Sequence, residues 1–436
     1  MKKKLVSVLL GTTVLASMLA GCSNGGSDAP KNVGSDTPKK EEAKGGSTVT
    51  MTGWYSEDNM APVLDKVNEM LGGDYKVEYT YITLDDYNNV LSTQLAAGEG
   101  PDIVTDGTNF QARIKAGNLK DITGTKRLEG FNDAGMTLCS DDEGKVYGLP
   151  SYGWFSGLWY NKDIFEQSGI TELPQTFDEL VAVCDKLAAN GVQPLGFGLA
   201  DGDQAMHSMM GYIENTYYQT SEEGKQFDEE FAYGKKKMEG TLNQFVKEWS
   251  VLIEKGYITP EMVGISNEQA LSDFIAGKTA MFNAGPWYYT NLTEANLNVG
   301  MLPHMGKDAN VQYLLGGPAA SFGINKNAKN EAGAEAVLDA LGSVEVQQEF
   351  ANANQGRFSY KQGVKVDVPE AYDGVKSILE AGNVACSWER WSVNMPAQTL
   401  VDETISQIQG LVTGDLTVDD FVKDLDSKAD SIRYTE

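Results

Sequence analysis

At 436 residues the chain is longer than one hydrophobic core normally fills, so about two to three domains are expected. Its formal charge of −27, from 62 acidic against 35 basic residues, counts against nucleic acid or an anionic membrane surface as partner. Two isolated histidines and four cysteines without a C-x-x-C pair indicate neither a zinc site nor a catalytic triad.

Residues 1–21 join a basic start, Lys2 to Lys4, to an apolar run from Leu5 to Ala20. That run is too short and too interrupted for a membrane span and reads as a secretory signal peptide. It ends Leu19-Ala20-Gly21-Cys22, which matches a lipobox, so Cys22 is expected to become a lipidated N-terminus. Residues 22–47 are then a flexible tether of Gly, Ser, Asp, Pro, Lys and Glu. Cys139, Cys184 and Cys386 remain, an odd set that indicates no disulfide framework and leaves one bridge with a spare thiol open.

Folded sequence begins near Thr48. The pattern predicts a strand over Val49 to Trp54, a helix opened by Pro62, a strand over Lys76 to Ile82, a helix over Asp85 to Ala97 with Val90, Leu91 and Leu95 inward, and a strand at 101–104. This β-α-β-α-β order implies a sheet with crossover helices, and loops carrying Trp54 and Asp106 open on one edge. Further on, 144–150 turns into a strand and Ser156 to Asn161 continues as another. Thr176 and Glu179 read as a capping box on a helix with Leu180, Val183, Cys184 and Leu187 inward. Strands follow at 194–199, 280–282, 298–302 and 314–324. Helices are predicted at 227–255, 330–341 and 418–425. Trp287 falls where a strand gives way to a helix behind Gly285-Pro286, a place where α/β sheets hold ligands.

The ordered set Pro101-Asp102, Tyr147-Gly148-Leu149-Pro150, Trp159-Tyr160-Asn161-Lys162-Asp163, Thr176-x-x-Glu179-Leu180, Phe274-x-x-Gly277-Lys278-x-Ala280-Met281 and Gly285-x-Trp287 resembles the extracellular solute-binding protein family 1, the carbohydrate-binding lipoproteins of ABC importers. The resemblance covers nearly all of the chain after the tether. It implies an α/β, two-lobed periplasmic-binding-protein-like fold of type II, similar to maltose-binding protein, with discontinuous lobes joined by hinge crossover strands. On that pattern the lobes take 48–152 plus 305–352 and 153–304 plus 353–436. It also implies a non-enzymatic receptor, monomeric and without cofactor or metal. Such a receptor is lipid-anchored on the extracytoplasmic face of the cell membrane and hands a mono- or oligosaccharide to the permease subunits of an ABC transporter. A receptor for a non-sugar solute and a secreted glycosidase are the alternatives.

A sugar site needs flat aromatics for C–H faces and planar polar groups for hydroxyl pairs. Of seven tryptophans, Trp54, Trp154, Trp287 and Trp388 fall in expected interlobe loops, while Trp159 and Trp249 read as core. Asp106, Asp203, Arg357 and Arg390 are the candidate polar partners, and Gly316 and Gly317 would admit ligand close to backbone. Near the helix after 194–199 many relatives carry an aromatic where this chain has Gln204-Ala205-Met206-His207, a departure that counts against a stacking platform there. The Met residues of that helix read as core.

Overall fold

The structure is a computed structural model that describes residues 46–434 apart from Asp142, Asp201, Gly202, residues 354–357 and Asp367. The leader, Cys22, nearly all of the tether and Arg357 lie outside the described residues. No described helix is long and apolar enough to cross a membrane.

The strands in chain order are β1 (Ser47–Gly53), β2 (Tyr75–Tyr81), β3 (Ile103–Asp106), β4 (Gly148–Pro150), β5 (Gly153–Asn161), β6 (Gln193–Gly196), β7 (Thr279–Ala284), β8 (Val299–Leu302), β9 (Leu314–Pro318), β10 (Ser321–Ile324) and β11 (Val384–Ala385). They form two sheets, one ordered β2-β1-β3-β10-β4 and the other β11-β9-β5-β7-β6, with β8 also paired to β5.

In the first sheet β1 is parallel to β2 and β3, as crossover helices require, and β10 returns antiparallel between β3 and β4. Val49 and Met51 alternate inward while Thr48 and Thr50 stay exposed. Val49, Met51, Ile103 and Phe322 pack on Val63, Val67, Val337 and Leu338 of the helices Glu57–Met70 and Glu331–Leu341; Val104 packs on Leu91 and Phe110 in a separate cluster. Each such side chain, fully buried, stabilises by about 1.5–3 kcal/mol. The first helix begins earlier than Pro62: Ser56 accepts from the Asn59 amide, Glu57 and Asp58 fill the first turn, and Pro62 lies inside. Val90, expected inward, is exposed.

Trp159 and Phe155 of β5 pack with Phe274, Phe282 and Tyr372, while the alternate residues Leu158 and Tyr160 join a larger cluster with Leu187, Leu195 and Met281. The helix Phe177–Ala189 is capped by Thr176, but Glu179 accepts from the Gln175 amide, one residue before the expected partner. A reciprocal capping box occurs instead at Thr417 and Asp420, where the helix Val418–Ile432 begins. The helical run expected over 227–255 is broken between Ala232 and Asn243. Cys139, Cys184 and Cys386 are buried free thiols.

Two stretches of chain cross side by side between the sheets. β4 continues into β5 through Ser151 and Tyr152, and β9 continues into β10 through Ala319 and Ala320. The Ser151 amide donates to Ala320 O and the Ala319 amide to Tyr152 O, both at 2.8 Å, so the crossings form one hydrogen-bonded ribbon. Gly153 also bridges to Phe358, whose ring occupies the place of a Cβ. The segment 305–318 differs from expectation. β9 pairs with β5 and β11, and Met305 and Leu315 join the second core, so the return crossing lies at Ala319–Ala320.

Candidate ligand-binding site

A cavity of about 360 Å³ opens between the two sheets' loop ends, inside the range of about 300–1,000 Å³ usual for small-molecule sites. The first-lobe wall is Trp54, Tyr87, Asn88, Asp106 to Asn109 and Tyr152, and the second-lobe wall includes Trp154, Asp203, His207, Trp287, Trp388, Glu389 and Gln398. All four tryptophans expected at the site line it, as do Asp106 and Asp203.

Each aromatic is held by what lies behind it. Trp54 follows β1 and meets Tyr87 edge-on at 5.0 Å; the Tyr87 hydroxyl donates to Thr105 O at 2.6 Å. Trp287 lies in the short 3₁₀ turn Pro286–Tyr288 after β7, with its ring over Gly285, where any Cβ would stand 2.0 Å from the indole. Gly285 O is itself fixed by the Trp159 indole N–H at 3.0 Å. Trp154 and Trp388 both lie against the imidazole of His207, with centroids 5.2 and 5.6 Å away and 6.1 Å from each other, and the Trp388 ring is within 8° of parallel to the imidazole.

His207 sits in the first turn of the helix Gln204–Ile213, which Asn283 of β7 anchors by donating to Gln204 O at 2.7 Å. Its Nε2 lies 3.0 Å from Asp203 Oδ2, and its Nδ1 is buried without a partner among the described residues. Burial pushes the Asp203 carboxyl up, but the His207 ring outweighs it and the net shift is downward. A histidine stands where the departure was noted in the sequence, and Trp154, His207 and Trp388 form a three-ring cluster at this helix. Asp203 and His207, four residues apart at a helix start, are the signal that marks it.

Asp106 ends β3 as a wall of the site, and its oxygens are already engaged. Oδ1 accepts from the Gly107 amide and Oδ2 from Arg113 Nε at 2.8 Å, with the rest of that guanidinium on Ser92 and Asn88. Burial pushes its carboxyl up against the opposing pull of Arg113.

Residues 56–348 match the model of the bacterial extracellular solute-binding protein family. The chain belongs to that family. Among relatives of this solute-binding protein, the galactooligosaccharide-binding protein of Bacillus subtilis is 26% identical over 315 residues, 69% of this chain and 68% of that one. A maltooligosaccharide ABC transporter solute-binding lipoprotein of Streptococcus pneumoniae is 22% identical over 419 residues, 92% of each chain. The structure of a family 1 extracellular solute-binding protein from Bifidobacterium longum subsp. infantis aligns with a TM-score of 0.75 at 25% identity, over 89% of this chain and 100% of that one. The two sheets are the two lobes of that fold.

The remaining expected site residues of this solute-binding protein stand elsewhere. Arg390 does not line the cavity: its guanidinium donates to the buried Asp228 at 2.8 Å, and the Trp391 indole takes the other Asp228 oxygen. Gly316 and Gly317 also lie behind the wall. A Cβ on Gly316 would meet Trp154 O at 2.1 Å, and one on Gly317 would meet Glu389 Oε1 at 2.0 Å, so both glycines admit neighbouring protein. Tyr87, Tyr152, His207, Glu389 and Gln398 are wall residues that the sequence reading did not single out.

Proposed function

We propose that this protein is the non-catalytic receptor of an ABC importer, taking a mono- or oligosaccharide between its lobes and presenting it to the permease. The observation that carries the reading is the cavity wall: four tryptophans interleaved with Asn88, Asn109, Asp203, His207 and Gln398. Flat apolar faces suit sugar C–H surfaces, and planar amides and carboxylates suit adjacent hydroxyls. The names of the two bacterial relatives, which specify galacto- and maltooligosaccharides, support the same ligand class.

In this reading Trp54, Trp154, Trp287 and Trp388 stack on the sugar, with Asp106 and Asp203 beside it. The first lobe is 47–152 plus 319–353 and the second is 153–318 plus 358–434, with the Ser151–Tyr152 and Ala319–Ala320 ribbon as hinge. Ligand spanning both walls favours the closed population, which a permease distinguishes from the open one. Cys22 carries the lipid anchor on the extracytoplasmic face, and residues 23–46 are the tether. A covalent anchor is what so acidic a protein needs to stay at an anionic membrane. The protein acts as a monomer without cofactor.

The test is a thermal-shift and calorimetric screen of the 46–436 chain against raffinose, maltotriose, galactobiose and chitobiose. At 100 times Kd, one ligand site adds about 2.7 kcal/mol, or roughly 2–4 °C for a chain of this size. A shift confined to one sugar series is the expected result. A cooperative melt unmoved by every sugar would send the search to non-sugar solutes, and new reducing ends in the incubated sugar would revive the glycosidase.

A further inference from the structure

Glu389 sits in the 3₁₀ segment Ser387–Val393, immediately after the stacking residue Trp388. It lines the cavity, yet the residue is only 6% exposed. Its backbone is tied down, the amide donating to Cys386 O and the carbonyl accepting from Ser392. Its carboxyl, in contrast, makes no hydrogen bond or ion pair with any described residue. The neighbouring Arg390 is committed to Asp228 at 2.8 Å. Gly317 leaves the space that the carboxyl fills, since a Cβ there would stand 2.0 Å from Oε1.

We infer, building on the saccharide reading, that Glu389 is a ligand-binding residue that pairs with a sugar hydroxyl, and that the wall around it selects uncharged saccharides over sugar acids. A carboxyl at the cavity wall with no described residue bonded to it has its hydrogen-bonding capacity free for a ligand hydroxyl, which both donates and accepts. A carboxylic acid offers the same combination of one donor and acceptor oxygens. Burial pushes the Glu389 carboxyl well above the usual range, with Arg390 opposing and Glu214 reinforcing the shift, a direction that favours the acid form.

The second half of the inference rests on the rest of the wall. Asp106, Asp203 and Glu389 line the cavity, and no Lys or Arg does so among the described residues. Arg113 is drawn behind the wall by Asp106 and Arg390 by Asp228. A uronate entering this site would bring its negative charge beside Asp106 and Asp203, with no Lys or Arg of the described residues on the wall to pair it, a repulsive element of the kind that sets specificity.

The experiment is calorimetry at neutral pH on the wild type, Glu389→Gln and Glu389→Ala, with raffinose, maltotriose, galactobiose, chitobiose and digalacturonate. For the sugar that binds wild type tightest, Glu389→Gln is expected to keep Kd within about threefold, because an amide is also a neutral donor and acceptor, whereas Glu389→Ala weakens it about tenfold or more. Digalacturonate is expected to bind none of the three proteins. Wild-type affinity in Glu389→Ala would overturn the contact. Equal losses in the Gln and Ala variants would show that an ionised carboxylate is what the ligand reads, and digalacturonate binding as tightly as galactobiose would overturn the selection. A wild type that melts cooperatively but binds no sugar would remove the saccharide reading itself, and this inference with it. Glu389→Gln preserves shape, so it tests the contact even if Glu389→Ala folds poorly.

Discussion

Thr108 Oγ1 donates to Gln398 Oε1 at 2.9 Å, joining the loop after β3 to the helix Ala397–Thr413 of the other lobe. Lys115, on the same side of the first lobe, reaches the backbone carbonyl of Val393. These bonds span the cleft and exist only when the lobes are close. Thr108→Val keeps the shape and removes the donor. A net hydrogen bond of about 0.5–1.5 kcal/mol then leaves the closed state, so sugar affinity should fall about 2- to 12-fold and the scattering radius of the unliganded protein should rise. An unchanged Kd together with unchanged scattering would show that the bond does not hold the lobes.

The tryptophans divide by what stands behind them. Trp287 is partly exposed and rests on Gly285, whereas Trp388 is 5% exposed and belongs to the second lobe's core cluster. Trp287→Ala should therefore weaken sugar binding at least about tenfold with little change in melting temperature. Trp388→Ala should lose both binding and about 3–5 kcal/mol of stability. Paired titration and melting curves separate the two cases, and a large stability loss in Trp287→Ala would place that ring in the core.

His304 gives the fold an acid limit. It is buried, with Nε2 3.4 Å from Ser156 Oγ and its ring against Gly211. Burial, aided by the nearby His207, lowers its pKa from 6.5 to about 3. The unfolded chain takes up the proton first as pH falls, so stability from this group is full above about pH 6.5 and is lost progressively down to about pH 3. Denaturant titrations should show stability falling over that window. His304→Gln should flatten the fall; an equally steep profile in the variant would assign it to other groups.

Why some of this was legible in the sequence and some was not follows from the local geometry. Regular strands announce themselves: Val49 and Met51 alternate, so β1 and the Trp54 that follows it were readable, as was Trp287 behind Gly285-Pro286. The segment Ser387–Val393 has no such period, and charge alone drew attention to Arg390, while the cavity takes Glu389 beside it. His207 does not stand out because a histidine among methionines reads as a core or surface residue; only the fold brings Trp154, from β5, and Trp388 against its ring. The glycine pair in β9 was expected to admit ligand close to the backbone, but the groups that approach it are Trp154 O and Glu389, which only the fold brings there.

That close approach gives the last prediction. In Gly317→Ala the new methyl would stand 2.0 Å from Glu389 Oε1, too close for the present side-chain position. Gly317 lies in β9 paired with Trp154 of β5, so the backbone on either side resists movement, whereas the Glu389 carboxyl, packed over Gly317, borders the cavity into which it can turn. The carboxyl should therefore swing rather than the strand, at a stability loss of about 1–3 kcal/mol. The wall then loses its hydroxyl partner, and sugar affinity should drop about as far as in Glu389→Ala. In the double variant the two losses should not add, because both remove one contact between touching residues. Additive losses in that cycle would mean that Gly317 serves the site by some route other than the placement of Glu389.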